Sequence, residues 1–138
     1  MKVLIKKLNP DAVIPSYAKE GDAGMDLTAV LVEQLDTEHL CYNFGIAIEI
    51  PDGFVGLVFP RSSCYKQGQI MSNCVGVIDS GYRGEIKAVM IGTSSKSYFV
   101  GERVAQLVIM PYPQIEFEEV AELSESERGI NGYGSTGK

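Results

Sequence analysis

Apolar residues in this chain come in short runs, each cut off by a turn signal. Val3-Leu4-Ile5 is the first. Ile46-Ala47-Ile48-Glu49-Ile50 stops at Pro51-Asp52-Gly53, a turn tripeptide. Phe54 to Phe59 follows and stops at Pro60. Glu85 to Met90 alternates at its start, as a strand with one buried face does. Val104 to Met110 is another apolar run, and Ile115-Glu116-Phe117-Glu118 alternates again. No window carries a long 3.6-residue apolar stripe, so amphipathic helices are not expected. Many short strands with Gly, Pro and Asp between them predict an all-β sandwich, barrel or jelly roll. Two segments stand outside this pattern. Ser62 to Ser72 is polar and glycine-containing, and reads as a short helix or a functional loop. Ser124 and Glu127 have the spacing of a helix-capping pair, which predicts one helical turn ended by Gly129.

Composition narrows the class. A chain of 138 residues has room for one domain with a real core. Its 45% hydrophobic and 22% charged content is that of a globular protein. No apolar run has the length of a membrane span, and no signal-peptide pattern is visible, so a cytoplasmic, non-secreted protein with no membrane partner is expected. The net charge of −6 argues against nucleic acid as a partner, because such proteins present basic surfaces. Cys41, Cys64 and Cys74 match no zinc template and make a poor disulfide framework, which points to idle thiols in a reducing compartment. His39 is the single histidine, which all but excludes a Ser-His-Asp triad or a multi-histidine metal centre. Carboxylates, hydroxyls and arginines must carry any catalysis.

Five clusters are too polar and glycine-rich to be plain strands. In Ala23-Gly24-Met25-Asp26-Leu27 the carboxylate suits a turn or an indirect metal contact. Pro60-Arg61-Ser62-Ser63 suits an anion nest or a helix N-cap. Asn73 to Glu85 has the layout of a β-hairpin, ordinary or functional, whose turn presents Asp79 and Tyr82. In Gly101 to Leu107, Gln106 interrupts an apolar strand, so it either bonds neighbouring backbone or faces a site. The fifth cluster, Arg128 to Lys138, holds four glycines, an arginine, Tyr133, Ser135 and Thr136. Glycine lets backbone N–H groups approach an anion, and arginine grips phosphate with two donors. Its P-loop-like and dinucleotide-like spacings lack the helix and strand that those motifs require.

Together the five clusters closely resemble the trimeric dUTPases, whose five motifs appear here in order as AGMDL, PRSS, GVIDSGYRGE, GERVAQL and RGINGYGSTG, over residues 23 to 137. The resemblance implies a dUTPase-like β-clip, or distorted jelly roll, forming a homotrimer whose C-terminal arm is exchanged over a neighbouring site. Residues 1–127 would form the jelly roll and 128–138 a flexible lid. It implies hydrolysis of dUTP to dUMP and pyrophosphate with Mg²⁺, which keeps uracil out of DNA and supplies dUMP for thymidylate synthesis.

Residue by residue, Asp79 is implied as the base that activates water for in-line attack on the α-phosphate. Tyr82 would pack on the deoxyribose. Asn73, Gly76, Val77 and Ile78 would read the uracil edge, and a site of that kind rejects cytosine by about 10⁴–10⁵. Ser62, Ser63 and Gln106 would hold phosphate, Arg61 would bond phosphate or brace the acidic network, and Asp26 would support Mg²⁺ through water. Arg128 would reach the γ-phosphate, Tyr133 would stack on uracil, and Gly134, Ser135 and Thr136 would complete the phosphate cradle. Arg83 and Arg103 match motif positions and also suit structural ion pairs. The chain departs from the family pattern at Ser63, where glycine is usual, and in Cys64-Tyr65 after it. It also departs at Met90 to Ser94, before the fourth motif, and at Tyr133, where phenylalanine is common. A dCTP deaminase-like enzyme and a nucleotide-gated protein-binding module of the same fold are the alternative readings.

Overall fold

The computed structural model describes residues 1–92 and 97–132. Within them the chain forms β1 (Leu4–Lys7), β2 (Met25–Thr28), β3 (Leu31–Gln34), β4 (His39–Asn43), β5 (Ile46–Glu49), β6 (Phe54–Pro60), a 3-10 helix (Cys64–Gln67), β7 (Gln69–Met71), β8 (Gly76–Ile78), β9 (Lys87–Gly92) and β10 (Arg103–Pro111). All pairings are antiparallel. One sheet runs β2-β10-β6-β8, a second runs β3-β4-β9-β7, and β1 pairs with β5 in a short ribbon. The fold is an all-β distorted jelly roll.

Alternation explains how the layers meet. Tyr42 and Phe44 face inward from β4 and the residue after it, and Ala88 and Met90 face inward from β9. Leu27, Val58 and Leu107 come from the other four-stranded sheet into the same core, with Ile46 and Ile48 from β5. One polar group is buried among them on purpose. The Tyr42 hydroxyl lies 3.0 Å from Gln69 Oε1 and 2.9 Å from Gln69 Nε2, and accepts the Tyr98 N–H at 3.2 Å. Tyr98 also packs edge-on against Tyr42, with ring centroids 5.9 Å apart. Burial pushes both phenols above their usual range, so they stay neutral.

Several expectations change. Ser62 to Ser72 is both helix and strand: the 3-10 helix ends at Gly68, whose φ of +59° glycine accommodates, and β7 follows. Ser124 starts no helical turn. The turn comes two residues later, where the Ser126 carbonyl and hydroxyl both accept the Gly129 N–H at 3.1 Å. Ile115 to Glu118 is no strand: it lies exposed, with Phe117 93% accessible, and among the described residues no strand pairs with it. The strand expected from Glu85 starts at Lys87, since Glu85 and Ile86 are bonded to the β4–β5 connection instead. The Asp79 segment is not a closed hairpin. β8 pairs with β6, whereas β9 belongs to the opposite sheet, so the intervening turn crosses between layers.

Tyr42→Phe should lower stability by about 1–3 kcal/mol, because Gln69 and the Tyr98 N–H would lose their buried partner. Urea unfolding checks this; an unchanged midpoint would contradict the pairing.

Candidate functional site

Sheet register gathers the first group of candidate residues. Gln106 on β10 stands opposite both Asp26 on β2 and Phe59 on β6. Directly opposed residues share a face, so Asp26 and Gln106 meet. β6 ends at Pro60, and Arg61 and Ser62 turn back over the same spot. The result is a cavity of about 350 Å³ lined by Ala18, Asp22, Ala23, Gly24, Asp26, Arg61, Ser62 and Gln106.

Asp26 organises it. One carboxylate oxygen takes Arg61 Nε at 2.9 Å and the other takes Arg103 Nη1 at 3.1 Å. A bulge makes the second pair possible. Arg103 and Gln106 are three apart on β10, which in a regular strand puts them on opposite faces. Against β2, however, Arg103 opposes Thr28 and Ala105 opposes Leu27, so Val104 is an extra residue. The extra residue resets the alternation and turns Arg103 to the Asp26 side. Val104 and Ala105, both fully buried, are the packing trace of the bulge.

Gln106 meets both sequence expectations. Its Nε2 donates to the Pro60 carbonyl at 3.1 Å, and the side chain still lines the cavity. That bond uses one amide hydrogen and leaves the second for an oxyanion. Gly24 leaves room for the amide, because a Cβ there would collide with Gln106 Oε1. Ser63 opens the 3-10 helix without a side-chain cap and is not part of the cavity wall.

The second group lies elsewhere. Asp79 and Tyr82 close a turn through the Tyr82 N–H and Asp79 carbonyl at 3.0 Å. With Val77, Ile78, Glu85 and Lys87 they line a separate cleft of about 210 Å³. Asp79 is exposed, and β8 is the last strand of its sheet, so one edge of its backbone is available. Asn73 and Gly76 stand at the start of that edge, where a Cβ on Gly76 would lie 3.7 Å from Asn73 Nδ2. Arg83 is structural: Nη1 donates to the Ser80 and Tyr82 carbonyls at 2.6 and 3.1 Å. Arg128 is exposed, with Nε on the Asn131 carbonyl at 3.2 Å. Tyr133, Gly134, Ser135 and Thr136 lie outside the described residues, as does most of the Met90 to Ser94 departure's polar end.

Sequence reasoning left Asp22, Lys87 and Arg103 out of the site. Only Arg103 had a usable signal, a motif position that also suited the ion pair it makes with Asp26. Among the described residues no cluster of three or more His, Cys, Asp or Glu could hold a metal by itself, and no helix is long and apolar enough to cross a membrane.

The described residues thus form a distorted jelly roll with a polar cavity around Asp26, Arg61 and Gln106 and a separate cleft beside Asp79 and Tyr82. A family model described as dUTPase matches residues 11–137. The chain is 44% identical to deoxyuridine 5'-triphosphate nucleotidohydrolase of Hydrogenobaculum sp., over 99% of each chain. It is also 44% identical to the protein of that name from Nautilia profundicola, over the full length of both. Among solved structures, a Staphylococcus bacteriophage 80alpha dUTPase mutant with dUpNHpp superposes with a TM-score of 0.86 at 27% identity, covering 99% of each chain. The chain belongs to the dUTPase family.

Arg61→Ala should weaken binding of tripolyphosphate, a bare probe of the cavity, by about 10- to 100-fold, the worth of one charged hydrogen-bond set. Calorimetric titration measures it; wild-type affinity in the variant would remove Arg61 from the site.

Proposed function

We propose that this protein is a cytoplasmic dUTP diphosphatase that cleaves dUTP to dUMP and pyrophosphate, at sites shared between copies of the chain in a homotrimer. What carries the reading is Asp79. It is an exposed carboxylate beside Tyr82 at an open strand edge, on a chain that matches dUTPases along its length.

In the proposed reaction Asp79 takes a proton from a water placed in line with the α-phosphorus, a task that needs the carboxylate one hydrogen bond from that water. The Tyr82 ring lies against the deoxyribose, where a 2′-hydroxyl would clash. The free edge formed by Gly76, Val77 and Ile78, with Asn73 beside it, pairs with the uracil edge. An unpaired donor or acceptor there is costly, which excludes cytosine. Arg61, the Ser62 hydroxyl, the Ser63 backbone N–H and the spare Gln106 amide hydrogen hold phosphate oxygens. Arg128 takes the far phosphate, Tyr133 covers the base, and Gly134, Ser135 and Thr136 close the cradle as a lid of residues 128–138.

The charge around the cavity supports a metal brought with the substrate. Asp22 and Asp26 balance Arg61 and Arg103, so the walls offer no net positive charge to a triphosphate. Both Asp26 oxygens face arginines, yet each oxygen has a further lone pair for a metal-bound water. Mg²⁺ keeps waters and leans on substrate phosphates, and when bound it would offset their charge there. The product would supply thymidylate synthesis, and removal of the substrate would keep uracil out of DNA.

Strand geometry supports sharing of the site. Ile78 pairs with Gly56 near the start of β6, and Arg61 follows its end. Five residues of strand separate the two ends by about 17 Å. A base and the phosphate donors must reach the same phosphorus, each within about 3 Å of its partner. The separation within one chain supports a site in which the base of one copy faces the phosphate cavity of another. The exposed segment after Pro111, with Ile115, Phe117, Val120 and Leu123 off the core, suits an arm that packs on a neighbour.

Asp79→Asn should bind dUpNHpp with near wild-type affinity while turnover of dUTP falls by about 10²–10⁴-fold. Pyrophosphate release measures the loss, and a near-normal rate would remove Asp79 as the base. Deletion of residues 128–138 should leave a folded trimer by light scattering but cut kcat/KM for dUTP at least about 10-fold. Unchanged kinetics would contradict the lid.

A further inference from the structure

Tyr82 does not stand free in its cleft. Its ring folds back over Gly84, and its hydroxyl donates to the Glu85 carbonyl at 3.1 Å. A Cβ at residue 84 would overlap the phenol, and the three nearest atoms to that Cβ all belong to Tyr82. Backbone torsion does not demand glycine here, since Gly84 is not among the residues with positive φ. The ring alone demands it.

The surface beneath the ring is held from below. Glu85 Oε1 accepts the Gly45 N–H at 2.9 Å. The Ile86 carbonyl accepts the Phe44 N–H at 3.2 Å, and the Ile86 N–H donates to the Ile46 carbonyl at 2.9 Å. Residues 84–86 are therefore pinned to the β4–β5 connection. Tyr82 rests on this floor, partly exposed, with its open side toward Ile78, Asp79 and Lys87.

We propose that Gly84 is a positioning residue that sets the height of the Tyr82 ring and thereby fixes which sugar the cleft accepts. This rests on the reading of the cleft as a deoxynucleotide site. A methyl at residue 84 forces the ring to move by about 1 Å or more to restore van der Waals distance. The space above the ring is the space that decides between 2′-hydrogen and 2′-hydroxyl. Displacements of that size at a reacting centre cost up to about 100-fold.

The test is a double-mutant cycle with kcat/KM for dUTP and for UTP as readout, and thermal unfolding as the check on folding. Gly84→Ala should lower the dUTP/UTP ratio by about 10-fold or more. In a Tyr82→Ala background the same substitution should change the ratio no further, because the methyl then meets nothing. A structural role of Gly84 unconnected with the ring would act in both backgrounds. An unaltered ratio in Gly84→Ala, or a further loss in the double variant, overturns the assignment. If Gly84→Ala unfolds, the double variant must fold again; one equally unfolded also overturns it. Wild-type protein with no dUTP hydrolysis would remove the functional reading, and this proposal with it.

Discussion

The pairing of β8 with β6 is the constraint on which the rest depends. It places Asp79 near one end of a seven-residue strand and Arg61 just past the other. Antiparallel strands cannot slip by one residue without turning every buried side chain outward. Val58 and Gly76 are locked against each other in the core, where a Cβ on Gly76 would lie 3.3 Å from Val58. The distance between Asp79 and Arg61 is therefore as rigid as the sheet. In the proposed reaction a second copy would bring its own half to meet the first, which would make assembly part of catalysis.

The cavity beside β2 and β10 depends on a single carboxylate. Asp26 holds two arginines from two other segments, one after β6 and one at the start of β10. The pairs are partly buried, with Asp26 21% and Arg61 27% accessible, so each serves placement more than stability. Arginine suits the task because its planar donor set can satisfy Asp26 and still present an N–H to an oxyanion. Asp22 and Asp26 line the cavity beside a single arginine, so in the proposed reaction it would suit a substrate that arrives with its own cation and a lid that adds Arg128.

The sequence announced the all-β class, because its apolar runs are short and punctuated, and β5, β6 and β10 fall where those runs lie. It did not announce β3 and β4, whose residues Leu31-Val32-Glu33-Gln34 and His39 to Asn43 look too polar for strands. Asn43 is buried although polar and donates to Glu33 on the neighbouring strand, which hides the alternation. Ile115 to Phe117 failed in the opposite sense, since its alternation finds no pairing strand among the described residues. The site residues were legible as motifs, yet their grouping was not. Nothing in the linear order says that Asp79 and Arg61 lie at opposite ends of one strand. Arg103 suited an ion pair from its sequence, but the bulge that turns it to Asp26 is invisible in the residue types.

The most direct test of a shared site is complementation. An Asp79→Asn chain and an Arg61→Ala chain, each inactive alone, are unfolded, mixed in equal amounts and refolded together. If each site draws Asp79 from one copy and Arg61 from another, random assortment makes about a quarter of the sites intact. Pyrophosphate release from dUTP should then recover to about that fraction of the wild-type rate. If both groups act within one chain, no mixed assembly contains an intact site. A mixture that is as inactive as its components would contradict the account.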